Sequence, residues 1–222
     1  SESETEIIVV VGSNAARRNR RATGNIFILA NTGASSLSAD DVSFEYLELG
    51  AITALLPNSG QLGTRVEITG ERMLGGGAGF DTVMFGDVMV DMQAGGDDDS
   101  VKIVDVGGGA VDTAVDVVRT ADTGARVILE GGWTQLAEGV VQAATPSSGE
   151  EGTIVTIEGT GMLSGGASVV SVTLAGVEVD EIKTGDDESI VVKAARFSAT
   201  RGIIIVTADT GAIATSAVEW EY

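Results

Sequence analysis

Apolar and polar residues alternate with period two in short runs along this chain. Thr153-Ile-Val-Thr-Ile-Glu158 is one such run; Val66-x-Ile68, Val83-x-Phe85, Val88-x-Val90 and Val172-x-Leu174 are others. Period two places every second side chain on one face and marks half-buried strands. No stretch has a convincing helical period; the nearest, from Val111 to Val118, also alternates at two. Turns rich in Gly and Asp separate the runs. Over the last part of the chain the pattern predicts about seven strands, at 142–144, 154–158, 169–174, 177–182, 189–194, 202–207 and 214–220. Short strands broken by such turns over about 90 residues predict an all-β fold of immunoglobulin-like β-sandwiches.

The pattern repeats. The chain has 2 prolines, and both head the same segment, Pro57-Asn-Ser-Gly-Gln-Leu-Gly-Thr64 and Pro146-Ser-Ser-Gly-Glu-Glu-Gly-Thr153, 89 positions apart. The same offset aligns Met73-Leu74 with Met162-Leu163, Val88-x-Val90 with Val177-x-Val179, and Asp97-Asp-Asp-Ser-Val101 with Asp186-Asp-Glu-Ser-Ile190. At an offset of 87, Thr120-Ala-Asp-Thr-Gly-Ala125 aligns with Thr207-Ala-Asp-Thr-Gly-Ala212, and Trp133 with Trp220. Agreement at so many separated points reads as two tandem copies of one domain, 51–138 and 141–222. A partial third copy precedes them. Ala30-Asn-Thr-Gly-Ala34 matches the turn, Thr5 to Val11 matches the strand after each acidic cluster, and Phe44 precedes Pro57 by the 13 positions that separate Trp133 from Pro146. Residues 1–48 are therefore expected to be the C-terminal half of a domain whose front half is missing. The expected array is two complete sandwiches and one N-terminal half.

Leu56-Pro57-Asn-Ser-Gly60 through Gly70, and Thr145-Pro146-Ser-Ser-Gly149 through Gly159, resemble the IPT/TIG family, the immunoglobulin-like domains shared by plexins and by transcription factors. The family pattern continues with a Phe-Gly step, which Phe85-Gly86 meets and Leu174-Ala175 does not. The resemblance covers 51–138 and 141–222, and 1–48 as a rear half. It implies a fold and carries no catalytic residues. The family's roles, in adhesion, receptor stalks, dimerisation and DNA binding, are too varied to assign one here.

Bulk numbers narrow the field. The 43% hydrophobic residues exclude a disordered chain, and 4% aromatics leave a core of Val, Ile, Leu and Ala. A net charge of −20 argues against nucleic acid as a partner and favours cations or a salty medium. No run approaches the roughly 18 apolar residues of a membrane span. There is no Cys, so a secreted chain has to rely on packing. The start, Ser1-Glu-Ser3, has neither Met nor a signal peptide and reads as processed or a fragment.

Candidate chemistry is sparse. Asp122-Thr-Gly124 and Asp209-Thr-Gly211 match the loop in which aspartic peptidases hold a catalytic pair, where two like charges share one proton. The plainer reading is a β-turn with Gly at positive φ, and Asn31 in the third copy supports it. The clusters Asp97, Asp98, Asp99 and Asp186, Asp187, Glu188 are candidate Ca²⁺ ligands, although their spacing fits no EF-hand and a solvated hairpin accounts for them too. No other cofactor is expected. Arg17, Arg18, Arg20 and Arg21 hold four of the 13 basic residues and read as an exposed loop, a dibasic cleavage site, or a contact with the acidic surface of a neighbouring subunit. Gly75-Gly-Gly-Ala-Gly79 lacks the Lys-[ST] of a phosphate loop. Without His, acid–base catalysis near neutral pH loses its usual residue, and no enzymatic activity is expected.

The half copy carries the functional expectation. Its apolar strand positions, Ile8, Val10, Ile26 and Ile28 or the alternate set Ile7, Val9, Phe27 and Leu29, form a candidate interface. Each is worth roughly 1.5–3 kcal/mol when buried, and about six left exposed forfeit on the order of 10 kcal/mol. Completion by another chain, or by upstream sequence, would recover that. A non-closing head-to-tail contact makes a filament. The expectation is an extracellular or cell-surface structural protein that self-associates, against an adhesion or stalk module with a glycan or protein ligand.

Overall fold

The structure is a computed structural model that describes residues 6–11, 22–90, 97–106 and 110–222. It is all-β, with no helix among the described residues. It divides into two units, Ser1–Gly50 and Ala51–Tyr222.

In the first unit β1 (Ala22–Asn25) pairs antiparallel with β4 (Ser43–Tyr46), and β2 (Phe27–Leu29) with β3 (Ser35–Leu37). The β2–β3 turn closes through Ala30 N–H to the Ala34 carbonyl at 2.8 Å, with Gly33 at φ 85°. Phe44 and Tyr46 meet edge to face at 5.1 Å. No residue in this unit whose exposure is described is buried. Residues 6–11 carry one bridge residue, Ile7, and no strand, where the repeat predicts one.

The second unit contains two main hydrophobic cores and a small cluster of Leu163, Ala208 and Ala212. Around the first run β5 (Ala51–Leu56), β6 (Ser59–Gly60), β7 (Thr64–Glu71), β8 (Phe80–Phe85), β9 (Val88–Val90), β10 (Ser100–Val106), β11 (Ala114–Ala121) and β12 (Arg126–Gln135). They form a three-stranded sheet, β10-β7-β5, and a five-stranded sheet, β6-β12-β11-β8-β9. Alternation in β7 sends Thr64, Val66 and Ile68 inward, as period two requires. They join Ile52, Met73, Val83, Phe85, Val117 and Trp133, with Phe85 and Trp133 edge to face at 5.3 Å.

Around the second core run β13 (Val140–Thr145), β14 (Ile154–Thr160), β15 (Val169–Leu174), β16 (Val177–Glu178), β17 (Glu181–Gly185), β18 (Ser189–Lys193), β19 (Arg201–Ala208) and β20 (Ile213–Glu221). One eight-stranded sheet, β16-β15-β19-β20-β13-β14-β18-β17, is made continuous by the parallel pairing of β13 with β20. The buried set repeats the first core at the offsets read from the sequence. Val141, Val155, Ile157, Met162, Val172, Leu174, Ile204 and Trp220 take the places of Ile52, Val66, Ile68, Met73, Val83, Phe85, Val117 and Trp133. One position breaks the pattern: Arg119, fully buried, stands where the second core has Val206.

The strand expected over 177–182 is two strands. Val177–Glu178 pairs with β15, and Glu181–Gly185 pairs with β18. Between them Val179 N–H bonds to the Val172 carbonyl at 3.0 Å and Asp180 N–H to the Lys193 carbonyl at 2.9 Å. The chain thus changes partners within two residues, and the break satisfies both ladders.

Candidate functional site

The segment led by Pro57 and the turn at 209–213 meet between the two cores, and the sequence explains how each is presented. Pairing of Ser59 and Gly60 in parallel with Thr134 and Gln135, with Leu136 N–H on the Gly60 carbonyl at 2.7 Å, anchors one side. Thr64 then folds the loop back: its Oγ1 accepts from Gln61 N–H at 3.1 Å, and its own N–H donates to the Gln61 carbonyl at 3.1 Å. Such hydroxyl-to-backbone bonds are a standard turn device. The second copy repeats them, with Glu150 N–H on Thr153 Oγ1 at 3.0 Å and Thr153 N–H on the Glu150 carbonyl at 3.0 Å. Both prolines follow cis peptide bonds.

Gln61 is wholly buried at this junction. Its amide Nε2 donates to the Ile213 carbonyl at 3.1 Å, and its Oε1 accepts from Gly139 N–H. Two backbone bonds flank it, Arg65 N–H to the Thr210 carbonyl at 2.8 Å and Ile213 N–H to the Leu62 carbonyl at 3.1 Å. Gly63 and Gly211 lie back to back at φ 87° and 89°. A Cβ on Gly63 would stand 2.6 Å from the Gly211 carbonyl oxygen, and one on Gly211 would stand 2.7 Å from that of Gly63. Only two glycines allow this approach. Buried polar groups that are fully paired fix one arrangement, so the junction holds the two cores in register.

The same two elements recur without partners from the other core. The turn at 122–126 is exposed at Asp122, Thr123, Gly124 and Arg126, and a Cβ on Gly124 would meet nothing within 4 Å. The loop at 150–154 is exposed at Glu150, Glu151, Gly152 and Ile154, and Gly152 is equally open. Neither Gln61 nor this reuse of turn and loop was anticipated from sequence. A polar residue beside Gly60 carries no mark of burial; the one available signal was that Gln61-Leu62 becomes Glu150-Glu151 in the other copy.

The acidic clusters are built into turns. Asp97 Oδ1 accepts from Asp99 N–H at 3.0 Å and Ser100 N–H at 2.7 Å, and these two bonds hold its carboxyl below the usual range. Asp186 does the same with Glu188 N–H at 2.9 Å and Ser189 N–H at 2.8 Å, with the same lowering. Asp98 Oδ1 takes Leu74 N–H at 2.7 Å; Asp187 Oδ1 takes Leu163 and Ser164 N–H at 2.9 and 3.2 Å. The carbonyls of Asp99 and Glu188 accept from Gly70 and Gly159. Among the described residues no group of three or more Asp or Glu could hold a metal ion.

The Asp-Thr-Gly segments are hairpin turns, with Gly124 and Gly211 at φ 82° and 89°. Each Asp holds the glycine-rich loop of its own copy: Asp122 accepts from Ala78 N–H at 3.2 Å, and Asp209 from Ala167 N–H at 3.0 Å. The proposed interface residues Ile8, Val10, Ile26 and Ile28 are 61, 98, 42 and 42% exposed. Arg17, Arg18, Arg20 and Arg21 lie outside the described residues. No helix among the described residues is long and apolar enough to cross a membrane.

The family model for the IPT/TIG domain matches residues 140–222. No curated protein matches this sequence. Among solved structures the full extracellular region of plexin A4 is similar, with a TM-score of 0.53 and 17% identity over 87% of this chain. SGBP-B from a xyloglucan utilization locus in Bacteroides uniformis is matched over 75% of this chain at 18% identity, with a TM-score of 0.32. This chain spans 18% of the plexin chain and 48% of the SGBP-B chain. With the all-β sheets and the buried Trp220 core in place, residues 140–222 are an IPT/TIG domain, an immunoglobulin-like fold.

Proposed function

We propose that the chain is a non-catalytic, extracellular or cell-surface structural protein of tandem immunoglobulin-like repeats. In this reading 51–138 and 141–222 are complete domains, and 1–48 is the C-terminal half of a third, completed by another copy or by upstream sequence. Copies join head to tail into a fibre or surface appendage. The observation that supports this most is the state of the first unit. Phe27, Ile28, Leu29, Leu37 and Phe44 are all exposed there, on strands that belong in a sandwich. A sheet with no covering layer loses the burial that stabilises such strands, and its edges recruit others. Addition of strands from another chain is an established mode of association.

Electron microscopy of the native material tests this. Fibres with an axial repeat of domain size are expected. Isolated rods would overturn the fibre and favour an adhesion or stalk module that presents its loops to a glycan or protein.

A further inference from the structure

At the internal junction the loop of one repeat receives the turn of the repeat that follows it. Arg65 N–H bonds to the Thr210 carbonyl, Ile213 N–H bonds to the Leu62 carbonyl, and the buried amide of Gln61 donates to the Ile213 carbonyl. The Arg65 stem lies across Gly211, with its Cγ 3.2 Å from where a Cβ would stand, and Ile213 Cγ1 lies 3.0 Å from the same point on Gly63. The loop at 150–154 repeats this seat, with Glu150, Glu151, Gly152 and Ile154 at the positions of Gln61, Leu62, Gly63 and Arg65. Gly152 keeps the φ of Gly63, 87°. Nothing stands within 4 Å of its Cβ position, Ile154 is 46% exposed, and Glu150 is exposed.

We propose that the turn at 30–34 of a second copy of this chain docks on the loop at 150–154. Order along the array selects the occupant. A loop takes the turn of the next repeat, and in the head-to-tail reading the repeat after 141–222 is the first unit of another copy, whose turn is 30–34. By the same rule the turn at 122–126 belongs to the loop of the repeat before 51–138. The geometry of the turn at 30–34 suits the seat: Gly33 has φ 85° against 89° at Gly211, its Cβ position is empty within 4 Å, and Ala30 to Ser35 are all exposed. The two backbone bonds become Ile154 N–H to the Thr32 carbonyl and Ser35 N–H to the Glu151 carbonyl, and Ile154 replaces the Arg65 stem over the turn glycine. The side chains match as well. A carboxylate at Glu150 accepts only and cannot donate as Gln61 does. Ser35, at the position of Ile213, supplies the donor instead. Its side chain comes where that of Ile213 lies, against the loop glycine, and its hydroxyl donates to the Glu150 carboxylate. Asn31 stands where the other two turns carry Asp122 and Asp209, so this turn brings no carboxylate toward Glu150 and Glu151.

This inference rests on the head-to-tail reading and names one contact within it. The test is sedimentation velocity on the full chain at about 0.15 M salt, where the Debye length of about 8 Å confines the repulsion between two chains of net charge −20. Wild type is expected to associate with rising concentration. Ser35→Ala should weaken association about tenfold, by removing the donor that meets Glu150. Adding Glu150→Gln to Ser35→Ala should restore it, because the amide then donates to the backbone carbonyl at position 35 as Gln61 does to that of Ile213; a misfolded variant could not recover. Gly33→Ala and Gly124→Ala identify the turn. Their φ values of 85° and 82° carry the same backbone penalty and both face open space, yet only Gly33→Ala should weaken association. A loss with Gly124→Ala instead, or association that no variant changes, would overturn this contact and leave the head-to-tail reading to another surface. A wild type that stays monomeric at every concentration would overturn both.

Discussion

Arg119 is the residue at which packing and charge conflict most. Its side chain is fully buried, with Nη1 2.7 Å from Met73 Sδ and the guanidinium 3.4 Å from the centre of the Phe80 ring. Its Nε and Nη2 have no hydrogen-bond partner. Burial pushes its pKa down to about 10, while Asp97 and Asp98 pull it the other way. A cation whose folded pKa is pushed below its ordinary value opposes folding at neutral pH, and that opposition fades as pH rises through about 10. Arg119→Met, which keeps length and removes the charge, is expected to stabilise the fold at pH 7 by about 1–4 kcal/mol. Thermal melting checks this, and a lowered midpoint would mean that the ring and sulfur contacts outweigh the desolvation. The arginine was legible only through the repeat. Within Val117-Val-Arg-Thr-Ala121 it reads as an ordinary strand residue, and only its alignment with Val206 shows an apolar position filled by a charge.

Among the elements, strands were read well because period two and Gly/Asp turns are local signals. Val169–Leu174 has the predicted bounds, β18 differs from its own by one residue at one end, and β19 by one residue at each end. The break between β16 and β17 was not legible, because the choice of which neighbouring strand to pair with is made by tertiary contacts that alternation does not encode. For the acidic segments before β10 and β18, sequence left the choice open between a cation site and a solvated hairpin, and their bonds to backbone amides were not legible. Asp187 bonds to two backbone amides that follow Met162, so Asp187→Ala should cost about 1–3 kcal/mol by leaving them unpaired, read as a lower urea midpoint. Asp97 and Asp186 predict an acid limb. Their folded pKa values lie below the ordinary 3.8, so their contribution is present above that value and is lost as pH falls through the lowered ones. The double variant Asp97→Asn, Asp186→Asn should show a shallower loss of stability below about pH 4 than wild type; an unchanged acid limb would assign that loss to other carboxylates.

Over residues 51–222 as a whole, the question is whether the two cores unfold together. The repeat of the buried set was legible from the offsets of 89 and 87 residues, but the means of coupling was not, since it depends on two glycines meeting through space. Gly63 and Gly152 separate the causes cleanly. Both sit at φ 87°, so an alanine at either carries the same backbone penalty, about 1–2 kcal/mol. Only Gly63 faces another backbone, with the Gly211 carbonyl 2.6 Å from where its Cβ would lie; Gly152 faces open space. In dilute solution, where chains are separate, Gly152→Ala should therefore lower the melting temperature and leave the unfolding of this region a single cooperative transition. Gly63→Ala should in addition force the loop off the turn, break the Arg65–Thr210 and Ile213–Leu62 bonds, and leave Gln61 without its partners. Calorimetry is then expected to resolve two transitions for this region, with a van 't Hoff enthalpy below the calorimetric one. Equal cooperativity in the two variants would show that the linker alone couples the cores.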